Sequence, residues 1–198
     1  MDEVRTLTIQ DKKAQNFISE FNSKAGNSKN VEEIATKLGL EVKPKRQEGF
    51  GLPVRELGGF NYAQGGSRVV APRAKADDEA ASATARPVVE QVSMFLAEYK
   101  AFNATDLVLI QGGANDLFAQ LTNLKAGKIT PEQAVQNMIQ TANELVLIIA
   151  QLKASGAQKL VVVNLPAIEQ TPKMSSLNPQ TRQLIKLMVV SFNTTLAQ

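Results

Sequence analysis

The chain has 198 residues, of which 43% are hydrophobic, 21% charged and 5% aromatic, enough apolar material for one substantial core and too much for general disorder. Its net charge of +3 is a small difference between 22 basic and 19 acidic residues, and with no long basic block or basic–aromatic interleaving it offers a nucleic-acid partner no footprint. The lack of cysteine removes disulfides and thiolate metal sites, no run reaches the ~18–20 apolar residues of a membrane span, and Met1-Asp2-Glu3-Val4-Arg5 has none of the basic-then-apolar profile of a signal peptide.

Val4 to Ile9 is rich in β-branched residues and runs into the polar turn Gln10-Asp11-Lys12-Lys13, which predicts a short opening strand. Asn27-Ser28-Lys29-Asn30 then offers a cap to a short amphipathic helix with Ile34 and Leu38 on one face and Gly39 beyond its end. Between Glu41 and Gly59 prolines and glycines punctuate the chain, and a strand-like Phe60-Asn61-Tyr62-Ala63 closes on Gly65-Gly66. Residues 71–86 hold no sustained apolar period and read as a flexible loop. It feeds a helix that starts at Pro87 and carries Val88, Val92, Phe95, Leu96 and Tyr99.

Asp106-Leu107-Val108-Leu109-Ile110 is a continuous apolar run of the length of a strand covered on both faces, ended by Gln111-Gly112-Gly113. Thr130-Pro131-Glu132-Gln133 combines a cap, a helix-starting proline and a capping-box glutamine ahead of a long amphipathic helix that Ser155-Gly156 stops. Leu160 to Val163 predicts another buried strand, and Asn178-Pro179 starts a last helix through Leu184, Leu187, Met188 and Phe192. Strands alternating with helices predict an α/β fold with a mostly parallel sheet, in which ligands sit beyond the C-terminal ends of the strands.

Three segments at strand ends carry a pattern: Asn61-Tyr62-Ala63-Gln64-Gly65-Gly66-Ser67, Gln111-Gly112-Gly113-Ala114-Asn115-Asp116, and Val161-Val162-Val163-Asn164-Leu165-Pro166 with Thr171-Pro172 following. In this order they resemble the middle blocks of the GDSL/SGNH serine ester hydrolases, closest to the bacterial esterase/lecithinase branch that includes autotransporter esterases. The likeness runs over about residues 26–193.

The resemblance implies one three-layer α/β/α, flavodoxin-like domain over residues 1–198, with its last strand missing at the C-terminus. It further implies hydrolysis of small-molecule or lipid esters through a serine acyl-enzyme, with no cofactor and no metal. Members are often secreted or held in the cell envelope. On the matching positions, the Gly66 N–H, with Gly65 as the fallback, and the Asn115 carboxamide would donate to the charge that develops on the acyl oxygen; neither donor titrates.

The departures bear on activity. In the family a serine in a Gly-Asp-Ser-Leu block attacks the ester and a histidine of a C-terminal Asp-x-x-His block takes its proton. Here Gln10-Asp11-Lys12-Lys13 stands at the end of the opening strand, placing Lys12 where the serine belongs, and the chain has no histidine. A protonated lysine does not replace serine in ester cleavage. The resemblance therefore implies an inactive or truncated hydrolase, with a non-catalytic binding or interaction module that keeps the cleft as the alternative.

Ser67 tempts as a second nucleophile but has no histidine to activate it. The glycine pairs fit neither phosphate-loop spacing, and Asp77-Asp78-Glu79 reads as a solvated run.

Overall fold

The computed structural model describes residues 3–4, 9–10, 43–49, 52–71 and 85–198. Lys12, the expected helix around Ile34 and most of the 71–86 loop lie outside these residues. The chain divides into two compact units, one made of Met1–Gln111 and Ile148–Val163, the other of Gly112–Leu147 and Asn164–Gln198.

In the first unit a four-stranded sheet has the order β1 (Glu3–Val4), β2 (Ile9–Gln10), β5 (Asp106–Gln111), β6 (Lys159–Val163). β5 and β6 are parallel and in register from Leu107↔Lys159 to Gln111↔Val163. β1 pairs with β2 and β2 with β5 antiparallel. The single opening strand expected over Val4–Ile9 is thus two short ones, and the strand beside β5 runs against it. β-branched residues favour extended backbone but specify neither continuity nor the direction of the partner.

β5 is what its sequence predicts. Val108 and Ile110 are fully buried and Leu109 nearly so, while Asp106 opens the strand by accepting the Asn103 N–H at 2.9 Å. β6 is not the buried strand expected from its apolar run: Val161 is 41% exposed, and among the described strands β6 lies at the sheet edge. Four consecutive apolar residues show what a strand tolerates, not whether both of its faces are covered.

Two further strands, β3 (Arg46–Gly49) and β4 (Leu52–Glu56), form an antiparallel hairpin where the punctuated segment gave no strand signal. An ion pair of 2.9 Å joins Arg46 to Glu56, and among the described strands β4 has no second neighbour, a position in which Pro53 is tolerated. In place of the strand expected at Phe60–Ala63, Phe60 and Asn61 are isolated bridge residues, Asn61 pairing in parallel with Pro44. Asn61 bends the chain away by accepting the Ala63 N–H on its own side chain at 3.1 Å.

The first helix, α1 (Val88–Tyr99), buries Val88, Gln91, Val92 and Phe95 along one face. Pro87 precedes it as an extended N-cap residue, at φ −63° and ψ 157°, instead of being its first helical residue. The chain is poor in aromatics, yet five of them gather here: Phe95 stacks on Phe102 with 4.6 Å between centroids, meets Tyr62 edge-on and touches Tyr99, which touches Phe60. Burying each ring contributes roughly 1.5–3 kcal/mol, so this cluster anchors α1 to the segment that leads into Gly65-Gly66.

The second unit is helical. α2 (Ala114–Lys125) is followed by α3 (Pro131–Ala154), whose last seven residues belong to the first unit. α3 opens with the expected reciprocal cap, in which Thr130 N–H donates to Gln133 Oε1 at 2.8 Å and Gln133 N–H to Thr130 Oγ1 at 3.3 Å. A short 3-10 turn (Ile168–Gln170) and α4 (Pro172–Ser175) lead to α5 (Pro179–Leu196). Asn178 caps α5 by accepting the Thr181 N–H at 2.8 Å. Its buried face is Ile185, Met188, Val189 and Phe192, and Leu187, expected inside, is 49% exposed. In the run from Leu184 to Val190 apolar residues occupy both faces of the helix, so the period is ambiguous. No helix among the described residues is long and apolar enough to cross a membrane.

Candidate functional site

Gly66 belongs to the first unit, in a turn that starts at Gln64. The Ser67 N–H donates to the Gln64 carbonyl at 3.3 Å, closing a four-residue turn whose third position is Gly66 at φ +90°. A positive φ at that position marks the type II sense and is open to glycine at no steric cost. The Gly66 N–H is part of the central peptide of this turn, and among the described residues none accepts a hydrogen bond from it.

Ser67 is fully buried, donates its hydroxyl to the Gln64 carbonyl at 2.7 Å and accepts from Gln91 Nε2 at 2.9 Å. Both functions of the hydroxyl are engaged in holding the turn, so Ser67 is a structural residue and no nucleophile.

Asn115 belongs to the second unit, one residue into α2. The helix begins at the sharp turn after β5, where Gly113 is the N-cap residue at φ +108° and no side chain caps it. Gly113 is required on two counts: a Cβ at that position would lie 2.6 Å from the Phe192 ring, and its φ is forbidding to L side chains. Asn115 is half-buried, and Asp116, 2% exposed, sits in the first turn, where a carboxylate suits the positive end of the helix. The next residue of α5, Asn193, grips the loop after β6: its Nδ2 donates to the Leu165 carbonyl and its Oδ1 accepts the Leu165 N–H, each at 2.9 Å.

Sequence reasoning missed a charged cluster in the first unit. The largely buried Lys45 forms an ion pair with Glu98 of α1, and its ammonium lies 5.9 Å from the Tyr62 ring centroid and 5.8 Å from that of Tyr99. Tyr62 donates to the other Glu98 oxygen at 2.8 Å. Burial, and then the Glu98 carboxylate, push the Tyr62 phenol far above its ordinary value. Burial also acts to raise Glu98, but the hydrogen bonds from Lys45, Tyr62 and Tyr99 outweigh it and hold the carboxyl below the ordinary 4.5. With every charge matched, the cluster serves to fasten the 43–62 segment to α1. A lysine spaced along a polar stretch gave no sign of it, since its partners are distant in sequence.

Among curated proteins no match is found. The model of the family described as GDSL-like lipase/acylhydrolase matches residues 13–198, nearly the whole chain. The chain belongs to the GDSL-like lipase/acylhydrolase family and has that family's α/β fold.

Proposed function

We propose that this chain carries the ester-binding part of a carboxylic-ester hydrolase, for small-molecule or lipid acyl esters, and does not turn esters over by itself. The observation that carries this reading is chemical: the sequence holds no histidine to act as base, and Ser67, beside the glycine turn, is buried with its hydroxyl committed.

By the family's pattern, the Gly66 N–H and the Asn115 carboxamide are each read as a donor to an acyl oxygen. Both are neutral, so each can donate to a carbonyl without changing protonation, and such donors gain strength as negative charge builds on the oxygen. What they support is polarisation of the carbonyl. Cleavage needs in addition a nucleophile and a group to take its proton, and in the serine-hydrolase template removal of both leaves only about 10³–10⁴-fold acceleration over water.

Titrating the purified chain with ethyl butyrate, followed by NMR, tests this reading. The expected result is saturable shifts that weaken in Asn115→Ala, with no ethanol formed. Shifts that never saturate would remove the binding half of the reading, and release of ethanol would remove the inactive half.

A further inference from the structure

α2 has two distinct sides. Asp116, Leu117 and Gln120 are turned inward, while Asn115, Phe118 and Thr122, spaced by three and four residues, share the outer side. Phe118 is 38% exposed, and no other aromatic ring among the described residues is left so open. Phe60, Tyr62, Phe95, Phe102 and Phe192 are all buried. A ring left in water contributes far less to the fold than a buried one, so Phe118 does little for stability where it stands, one helical turn beyond Asn115.

Lys173 of α4 stands over this ring, its ammonium 5.9 Å from the centroid. Both residues belong to the second unit. α4 is held in place by Met174, which is 5% exposed, and by the Thr171 carbonyl, which accepts the Met174 and Ser175 N–H groups at 2.9 Å. Lys173 itself is exposed, and no carboxylate among the described residues forms an ion pair with it. Glu169, four residues earlier, instead keeps one oxygen buried without a hydrogen-bond partner among the described residues. From Thr171 to Gln198 the sequence carries Lys173, Arg182 and Lys186 and no acid. Lys45, the other lysine over aromatic rings among the described residues, differs on both counts: it is largely buried, and Glu98 neutralises it.

A cation over an exposed ring offers a ligand two contacts of different kind, an apolar surface for a hydrocarbon chain and a point charge for an anion. Residues one helical turn apart have β carbons about 5–6 Å from each other, and the ammonium lies 5.9 Å from the ring. A chain that starts at the Asn115 carboxamide and crosses Phe118 thus meets the ammonium after a path on the order of 10 Å, which about seven carbon–carbon bonds of ~1.5 Å can span.

We propose that Phe118 and Lys173 form a specificity subsite for esters that carry a negative charge at the far end of a hydrocarbon chain. The chain lies on the Phe118 ring, and the anion meets the Lys173 ammonium. The proposal deepens the ester-binding reading and rests on Asn115 as a donor to the acyl oxygen, which sets the near end of the ligand. A neutral ester of equal length gains the ring and not the charge, so the pair discriminates between the two.

The test titrates the isotope-labelled full chain, followed by NMR, with monoethyl suberate and with ethyl 8-hydroxyoctanoate, its neutral counterpart of equal chain length. Both are expected to shift the Asn115 side-chain amide and the Phe118 ring saturably, with a midpoint about fivefold lower for the charged ester, the upper range for an exposed ion pair. Lys173→Gln abolishes that difference, and Phe118→Ala weakens the binding of both esters. Ethyl 6-phosphonohexanoate, titrated in place of the half-ester, separates a phosphate-like anion from a carboxylate: the tighter of the two names the anion, and Lys173→Gln weakens either. Both variants lie at exposed positions, and unmoved Val108 and Ile110 amides of β5 report an intact fold.

Equal midpoints for charged and neutral esters in the unaltered chain, or a preference that survives in Lys173→Gln, overturn the proposal; a lysine that merely rests on the ring gives that result. Failure of the donor reading has another signature. Asn115→Ala then leaves both midpoints where they were, while Lys173→Gln still removes the preference for charge, so the donor reading falls and the subsite stands. Shifts that saturate with neither ester remove the ester-binding reading and the subsite together.

Discussion

Gly113 is where backbone and packing demand the same residue. At φ +108°, with the Phe192 ring 2.6 Å from the place of a Cβ, alanine meets both dihedral strain and overlap. Strain and overpacking each cost about 1–3 kcal/mol, so Gly113→Ala is expected to lower stability by about 2–4 kcal/mol in urea titration. Adding Phe192→Leu removes the overlap and leaves the strain, so the double variant recovers only part of the loss. Full recovery would show that the dihedral angle is of no account. Tyr62 gives a prediction in pH. Its phenol is held neutral, by burial and by Glu98, above the ordinary value of 10.0. In the unfolded chain the phenol releases its proton near pH 10, whereas the folded chain retains it. The contribution is therefore complete below about pH 10 and is lost as the pH rises further. Glu98 has the opposite sign: its folded value is depressed, so its contribution is complete above about pH 4.5 and is lost as the pH falls. Tyr62→Phe is expected to lower stability at neutral pH by about 1 kcal/mol, discounted for the exposure of Glu98, and to flatten the decline above about pH 10. Melting curves taken across this range measure both effects.

At the scale of elements, the sequence was legible where local signals and burial coincide. The run Asp106–Ile110 lies inside β5, the Thr130–Gln133 box starts α3, and Asn178-Pro179 starts α5, each as its residues suggest. It was illegible where the answer depends on a neighbour. Ile9 of β2 is a strand former, but only the partner β5 makes the strand antiparallel and pairs Gln10, which was expected in the turn. The apolar run of β6 hides a half-exposed strand that lies at the edge among the described strands. Gly66 and Asn115 were named from the motif alone, while the contacts made by their neighbours were not legible, because Gln91 bonds to Ser67 and Phe192 packs on Gly113 across 24 and 79 residues of chain. A glutamine in register with Val88, Val92 and Phe95 was the one signal open to a reader of the sequence. The join between α5 and the loop after β6 rests on Asn193 in the same way. Leu165 is 3% exposed and its peptide groups pair with that carboxamide. Asn193→Leu leaves both groups unsatisfied, at about 1–3 kcal/mol each, so a loss of about 2–4 kcal/mol and faster exchange of the Leu165 amide are expected. Unchanged exchange would show that the loop holds itself.

On the scale of the whole molecule, membership of the acylhydrolase family and the absence of histidine pull in different directions. The two are reconciled if the chain retains donors for an ester carbonyl and lacks the groups that break the bond. The measurement that bears on this most directly is release of p-nitrophenolate from a short-chain p-nitrophenyl ester by the purified chain, run beside Asn115→Ala. The result expected is the same background rate in both. Clear turnover by the unaltered chain that disappears in Asn115→Ala would contradict the account, because it would require a nucleophile other than the committed Ser67 and a base other than histidine.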